Sequence, residues 1–344
     1  MKLLTNEQLV NISKKTILIW LSLVSFTVIF QIFLGGYVRL TQSGLSMYDW
    51  NVVTGVIPPI TDAEWMETFE NYQKTPEYIK INVGMSLEDY KFIYYREYNH
   101  RIIGRLTGLL YALPALFLLF SGIFKWRDSK IYIVVGILFA AQGVLGWYMV
   151  KSGLVDEPHV SHFRLAAHLL MAFFILGLVL WKIFDTRFGE VVLRVESFGN
   201  QAIKRLSILF LLVNLQITYG AFVAGLKAGF VSDTFPLMFG YLIPPNLFQT
   251  GVFDIFSGSV AVHFIHRWFA FFVLGYSVFL FFKLKNQDGL KFLWLLPAVI
   301  VIQIILGLTV IWFHVPILIA LIHQGGAIII FSVILYFLHK IKSV

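Results

Sequence analysis

The sequence predicts an all-α integral membrane protein of eight transmembrane helices, arranged as two four-helix bundles related by a pseudo-twofold axis. Three observations carry this. The 344 residues are 58% hydrophobic and only 13% charged, about half the charged share of a soluble domain, and mean hydropathy is +0.78. Apolar stretches of ~20 residues recur along the chain, each able to cross a hydrocarbon core of roughly 30 Å. The second half also repeats landmarks of the first, as a duplicated unit would.

The first span, about 16–38, follows a polar, lysine-bearing segment and lacks a clear small-residue cleavage site. It therefore reads as a retained helix rather than a signal peptide. Seven more follow at about 102–124, 131–150, 165–184, 206–226, 260–282, 292–313 and 316–338. Sixteen of the 27 Lys and Arg residues, among them Lys14, Lys125, Arg187 and Lys340, occupy the two termini and the even-numbered connections. This positive-inside pattern places both termini in the cytoplasm and predicts a multi-pass protein of the cell's inner membrane. It also accounts for the net charge of +8 without nucleic acid as a partner. The long connection 39–98, with Asp49, Trp50 and Trp65, then faces outward, as does the shorter, more apolar 227–259. Their aromatic content predicts ordered caps on the outer membrane surface, where Trp and Tyr prefer to lie.

Gln31-Ile32 before Gly35 recurs as Gln216-Ile217 before Gly220, and Pro58-Pro59 recurs as Pro244-Pro245. His100-Arg101 recurs as His266-Arg267, and Gln142 and Gly146 match Gln303 and Gly307. Four spans restore the starting side, so the repeats share a sense and are related by an axis along the membrane normal. The expected halves are 1–190 and 191–344, each offering its interior as a cofactor site.

Ionisable groups within membrane spans are functional candidates by default. His100 and His168 fall in one half, and His266 and His323 hold matching places in the other. Imidazole is an axial ligand of haem iron, and a facing pair can hold one macrocycle. Two pairs thus suggest two porphyrin sites. Small residues one turn after each histidine (Gly104, Ala172, Ala270 and Ala327) leave room for a flat ring. Taken singly, each histidine could equally be a polar group hydrogen-bonded between helices; the matched recurrence favours ligation. A non-haem metal is the competing ligand, but these helices carry no surrounding carboxylate cluster. His263, on the same face as His266, is the fallback ligand. His159, His162 and His314 fall at outward helix ends and suggest interfacial or supporting roles, while His339 reads as solvated. The chain has no cysteine, which excludes thiolate and iron–sulfur ligation and covalent haem attachment.

Arg101, Arg105, Arg164 and Arg267 cluster near the outer ends of the histidine-bearing helices. Guanidinium binds carboxylates such as haem propionates through paired hydrogen bonds, though snorkelling to the interface is the competing explanation. Glu97 lies three residues before His100, on the same helix face. It is either a solvated residue ahead of the span or a carboxylate that moves protons or stabilises a cationic substrate carbon.

The run Gly35-Gly36-Tyr37-Val38-Arg39-Leu40-Thr41-Gln42-Ser43-Gly44-Leu45-Ser46-Met47, followed by Asp49-Trp50, resembles the signature of the haem A synthase family. So do Thr54-Gly55-Val56-Ile57-Pro58-Pro59, Glu97-Tyr98-Asn99-His100-Arg101-Ile102-Ile103-Gly104-Arg105 and Arg164-Leu165-Ala166-Ala167-His168-Leu169. The resemblance is to the cysteine-free branch of mitochondrial and proteobacterial type; it covers nearly the whole chain and is densest in the first half. It implies an eight-helix oxidoreductase that converts the C8 methyl of haem O to a formyl group by successive hydroxylations. His100 and His168 would flank the substrate, Glu97 would be the acidic residue associated with the oxidation, and His266 and His323 would hold a haem b for electron transfer. The resemblance also implies a haem O synthase upstream, a membrane electron acceptor and an oxidase client, and it leaves room for a homo-oligomer. Two other functions use the same four histidines: a dihaem electron carrier reacting with quinone, and a haem transporter. The long first-half signature favours the synthase over both.

Overall fold

The computed structural model describes residues 6–48, 55–121, 126–155, 157–189, 201–287 and 290–342. Among the described residues the regular structure is helical, apart from an isolated bridge between Met238 and Tyr241. The α-helices are α1 (Asn6–Leu40), α2 (Asp62–Gln73), α3 (Pro76–Lys80), α4 (Leu87–Phe120), α5 (Trp126–Lys151) and α6 (His162–Phe188). They continue with α7 (Gln201–Gly225), α8 (Asp254–Ser257), α9 (Ser259–Leu284), α10 (Leu295–Trp312) and α11 (Ile317–Lys342). Eight of them, α1, α4, α5, α6, α7, α9, α10 and α11, are long and apolar enough to cross a membrane. Each falls on one of the eight expected spans. Phe26, Leu211 and Leu318 project outward from these helices, as suits a lipid-facing surface whose backbone polar groups are satisfied within the helix.

One boundary differs markedly. Helix α4 begins at Leu87 rather than near residue 102, because Ser86 caps it by accepting a hydrogen bond from the Asp89 amide. Hydropathy detects only the apolar part of a helix; capping and packing carry α4 outward beyond it. There Tyr90, Ile93 and Tyr94 join Met47, Trp65, Phe69 and Tyr72 in an aromatic core under α2. Tyr72 stacks on Tyr90 at 4.8 Å, and Trp65 meets Tyr94 edge-on at 5.1 Å. Helix α2 starts at a capping box formed by Thr61 and Glu64, and α3 starts at Thr75 followed by Pro76. Both are sequence-encoded starts, since each side chain satisfies an amide that the first turn leaves unpaired. The described part of 39–98 is therefore an ordered cap; Asp49, Trp50 and Thr54 lie outside the described residues.

The chain resolves into two compact units, residues 30–172 and residues 1–29 with 173–344. The anticipated division at residue 190 falls outside the described residues. Within the larger unit α7 packs on α9, α9 on α10, α10 on α11 and α11 on α7, closing a four-helix ring. Within the smaller unit α4 packs along α5, and the Tyr111 hydroxyl donates to the Tyr132 carbonyl across that contact at 2.7 Å.

His339 departs from expectation. It is fully buried, with Nε2 3.0 Å from Asp185 Oδ1 and the rings of Trp181 and Phe184 edge-on to it. Lys182 donates to the other Asp185 oxygen at 3.0 Å. Its position near a basic terminus suggested water; packing of α11 against α6 removed it.

Candidate functional site

The four histidines sit in four copies of one local arrangement. A helix carrying Gln-x-x-x-Gly lies against a helix carrying the histidine. Residues four apart share a helix face, so the glutamine and glycine meet the same neighbour. In the smaller unit Gln31 of α1 donates through Nε2 to the His100 carbonyl of α4 at 3.0 Å, and a Cβ on Gly35 would lie 3.2 Å from His100 Cε1. Gln142 of α5 donates to the His168 carbonyl of α6 at 3.0 Å, and a Cβ on Gly146 would lie 3.0 Å from that ring. In the larger unit Gln216 of α7 donates to the His266 carbonyl of α9 at 2.9 Å, and Gly220 faces its ring at 3.1 Å. Gln303 of α10 donates to the His323 carbonyl of α11 at 2.7 Å, and Gly307 faces its ring at 3.0 Å. Sequence reasoning used these glutamines and glycines as repeat markers without connecting them to the histidines. The signal was present: the same spacing occurs four times, each ahead of a histidine-bearing helix.

Protein surrounds all four imidazoles, yet each ring retains accessible surface, the combination that marks an internal cavity. Nδ1 of His100, His168 and His323 is sealed without a hydrogen bond, which leaves Nε2 as the nitrogen open to a ligand. The His266 and His323 ring centres are 6.5 Å apart, with planes at 84°. With metal–imidazole bonds of about 2 Å on either side, a pair so spaced accommodates one metal centre between its rings. His100 and His168 lie within electrostatic reach of one another. Among the described residues no group of three or more His, Cys, Asp or Glu could hold a metal ion. Paired imidazoles suit a macrocycle that supplies the remaining donors, and the residues present fit a bis-histidine haem.

The small residue one turn after His100 serves differently from expectation. The space at Gly104 is taken by the Gln31 amide, whose Nε2 would lie 3.2 Å from a Cβ there. The Gln31–His100 hydrogen bond needs that gap.

Above each unit's first histidine sits an arginine clamp. Glu97 is 3% exposed, and its Oε2 accepts from Ser46 Oγ at 2.7 Å and from the Met47 amide at 2.9 Å. Arg101 pairs with the other carboxylate oxygen and also donates to the Met47 carbonyl. The turn that presents Ser46 and Met47 is the Thr41–Met47 stretch, where Gln42 adopts φ 50° and Ser43 and Ser46 are fully buried. In the larger unit His263 stands where Glu97 stands. Arg267 donates to His263 Nε2 at 3.0 Å, to the Ser232 carbonyl at 2.6 Å and to the Thr234 carbonyl at 2.7 Å. His263 thus faces Arg267, whereas His266 faces His323. Arg164 donates to the Tyr148 carbonyl at 2.8 Å and lies 3.7 Å over the Tyr148 ring. Arg105 lies one turn deeper than Arg101 and is half-buried. His314 is largely exposed, 3.9 Å from Asp233, and His162 opens α6.

A family model described as COX15-CtaA, cytochrome oxidase assembly protein, matches residues 18–335. Curated relatives match along almost their whole length. A heme A synthase of Wolbachia pipientis wMel is 41% identical over 335 residues, covering 96% of this chain and 93% of that protein. One of Paramagnetospirillum magneticum is 39% identical over 344 residues, covering 97% and 96%. One of Rickettsia africae is 38% identical over 340 residues, covering 96% and 99%. With paired histidines held at matching places in an eight-span helical chain, and similarity running nearly from end to end, this protein belongs to the COX15-CtaA family of cytochrome oxidase assembly proteins.

Proposed function

We propose that this protein is a haem A synthase, an oxidoreductase that converts the C8 methyl of haem O to a formyl group. The observation that carries this is the end-to-end similarity to proteins named heme A synthase. His100 and His168 take the substrate haem between α4 and α6. His266 and His323 hold a haem b, which when bound supplies one-electron transfer, and His263 is left to the Arg267 clamp. Arg105, Arg164, Arg101 and Arg267 line the outer ends of these sites, where propionates carry negative charge.

Methyl-to-formyl conversion is two successive two-electron oxidations. Each releases two protons, and water supplies the oxygen when a cationic benzylic-type carbon is trapped; the resulting geminal diol loses water to give the aldehyde. The electrons pass to a membrane acceptor. The carboxylate of Glu97 already accepts hydrogen bonds from Ser46, Met47 and Arg101, an arrangement that holds its charge fixed. It therefore acts by electrostatics on the developing cation and by placing Arg101 and the 41–47 turn. We further propose that the halves 1–190 and 191–344 each house one site, that the protein spans the inner membrane with both termini cytoplasmic, and that a haem O synthase delivers the substrate. A homo-oligomer fits this reading.

Haems extracted from cells making this chain with a haem O synthase should include haem A. With Glu97→Ala, haem A should fall sharply while the protein still binds haem. Haem O passing through unchanged by the native chain would sink the synthase and favour a dihaem electron carrier.

A further inference from the structure

We propose that Gln31, Gln142, Gln216 and Gln303 are positioning residues, one for each imidazole, whose side-chain oxygens accept the histidine Nδ1–H and so leave Nε2 free for iron. This rests on the haem reading above, and extends it to residues outside the ligand set.

The argument begins with unpaired atoms. Oε1 of all four glutamines is buried without a hydrogen-bond partner, and so is Nδ1 of His100, His168 and His323. Buried polar groups are nearly always satisfied, and each exception calls for a cause. The same amides already use Nε2 on the carbonyl of the same histidine, at 2.7 to 3.0 Å. Each amide is therefore fixed beside its imidazole, with one acceptor to spare next to one sealed ring nitrogen. In the fourth pair the proximity is direct, since the Gln216 amide nitrogen lies 3.1 Å from His266 Nδ1.

These leftovers are complementary when the ring carries its proton on Nδ1, the tautomer required of an imidazole that gives its Nε2 lone pair to a metal. A small rotation of the amide brings Oε1 to Nδ1–H while Nε2 keeps the backbone carbonyl. One side chain then sets both the position of the ligand helix and the orientation of its ring. Ligating histidines generally donate their second N–H to such an acceptor, which raises ligand basicity. The glycine one turn along each glutamine helix completes the arrangement by admitting the ring edge.

The test uses the haem held by His266 and His323 in the full-length purified protein. Gln303→Met keeps the length of the side chain and removes the acceptor; Gln303→Glu supplies a stronger one. We expect Gln303→Met to weaken haem retention about tenfold or more and to raise the midpoint potential of the remaining haem. Gln303→Glu should lower that potential, because a more basic imidazole stabilises the oxidised iron. Should a Gln303 replacement prevent the protein from accumulating, the same pair at Gln216 reads the same haem through His266. Potentials that stay put, or move the same way in both variants, overturn the positioning role and leave the glutamines as helix-packing groups. A native protein that purifies without a bis-histidine haem spectrum defeats the haem reading itself, which the native sample reports before any variant is made.

Discussion

At the scale of single residues, the site depends on atoms that are absent as much as on those present. A Cβ at Gly307 would come within 3.0 Å of His323 Cε1, whereas one at Gly275 on α9 meets nothing within 4 Å. Gly307→Ala should therefore displace the ring and strip haem from the purified protein. Gly275→Ala should retain full haem and gain up to about 1 kcal/mol from helix propensity. Equal haem content in the two would refute the close fit. The Glu97–Arg101 pair makes a second residue-scale claim. Both side chains are almost wholly buried, and removing one partner of such a pair strands a charge at a cost of about 3 to 5 kcal/mol. Arg101→Ala should accordingly melt far below the native protein in detergent, and Glu97→Gln/Arg101→Met should recover much of the loss. A double variant no better than the single would show that Arg101 serves the site rather than the fold. The signature around residues 35–47 was legible as a string, but its purpose was not. A sequence cannot reveal that Ser46 and Met47 turn back onto Glu97, because that contact spans 50 positions of chain and depends on the turn at Gln42.

At the scale of elements, the outer cap of the smaller unit is a small aromatic core standing on the extension of α4. Trp65 sits at its centre, 6% exposed, and Trp65→Ala should cost about 3 to 5 kcal/mol, read as a lowered thermal midpoint. Acid should loosen the caps of both units before the spans. Amides of Thr61 and Ile60 donate to Glu64 and hold its carboxyl below the usual value, and the hydroxyl and amide of Thr250 do the same for Asp254. A carboxylate whose folded value is lowered contributes stability above the usual range, and that contribution disappears as pH falls through the folded value. Protection of the Ile60, Thr61 and Thr250 amides against hydrogen exchange should therefore drop between about pH 7 and about pH 3, while the spans keep theirs. Loss of protection in the spans first would contradict this order. The existence of these elements was readable from capping residues and hydropathy. The length of α4 was not, because its outer turns are polar on one face and are held by tertiary packing.

At the scale of the whole molecule, the charge distribution makes the broadest prediction. Reporters active only in the cytoplasm, fused at either terminus, should both be active, and a reporter inserted in the 227–259 connection should not be. Opposite activity at the two termini would require an odd number of spans. His339 shows the limit of reasoning from position, since a terminal, lysine-flanked histidine proved to be fully buried against Asp185.

The sequence by itself determined the class, the eight spans, the four histidines and the family, because hydropathy and motif identity are local properties that need no partner. Tertiary structure alone decided what each polar group faces. It set Glu97 and His263 in equivalent clamps with Arg101 and Arg267, and it placed a glutamine and a glycine against every imidazole. The physical reason is that a buried polar atom must find its complement on another helix, and which helix arrives is settled by packing over the whole chain.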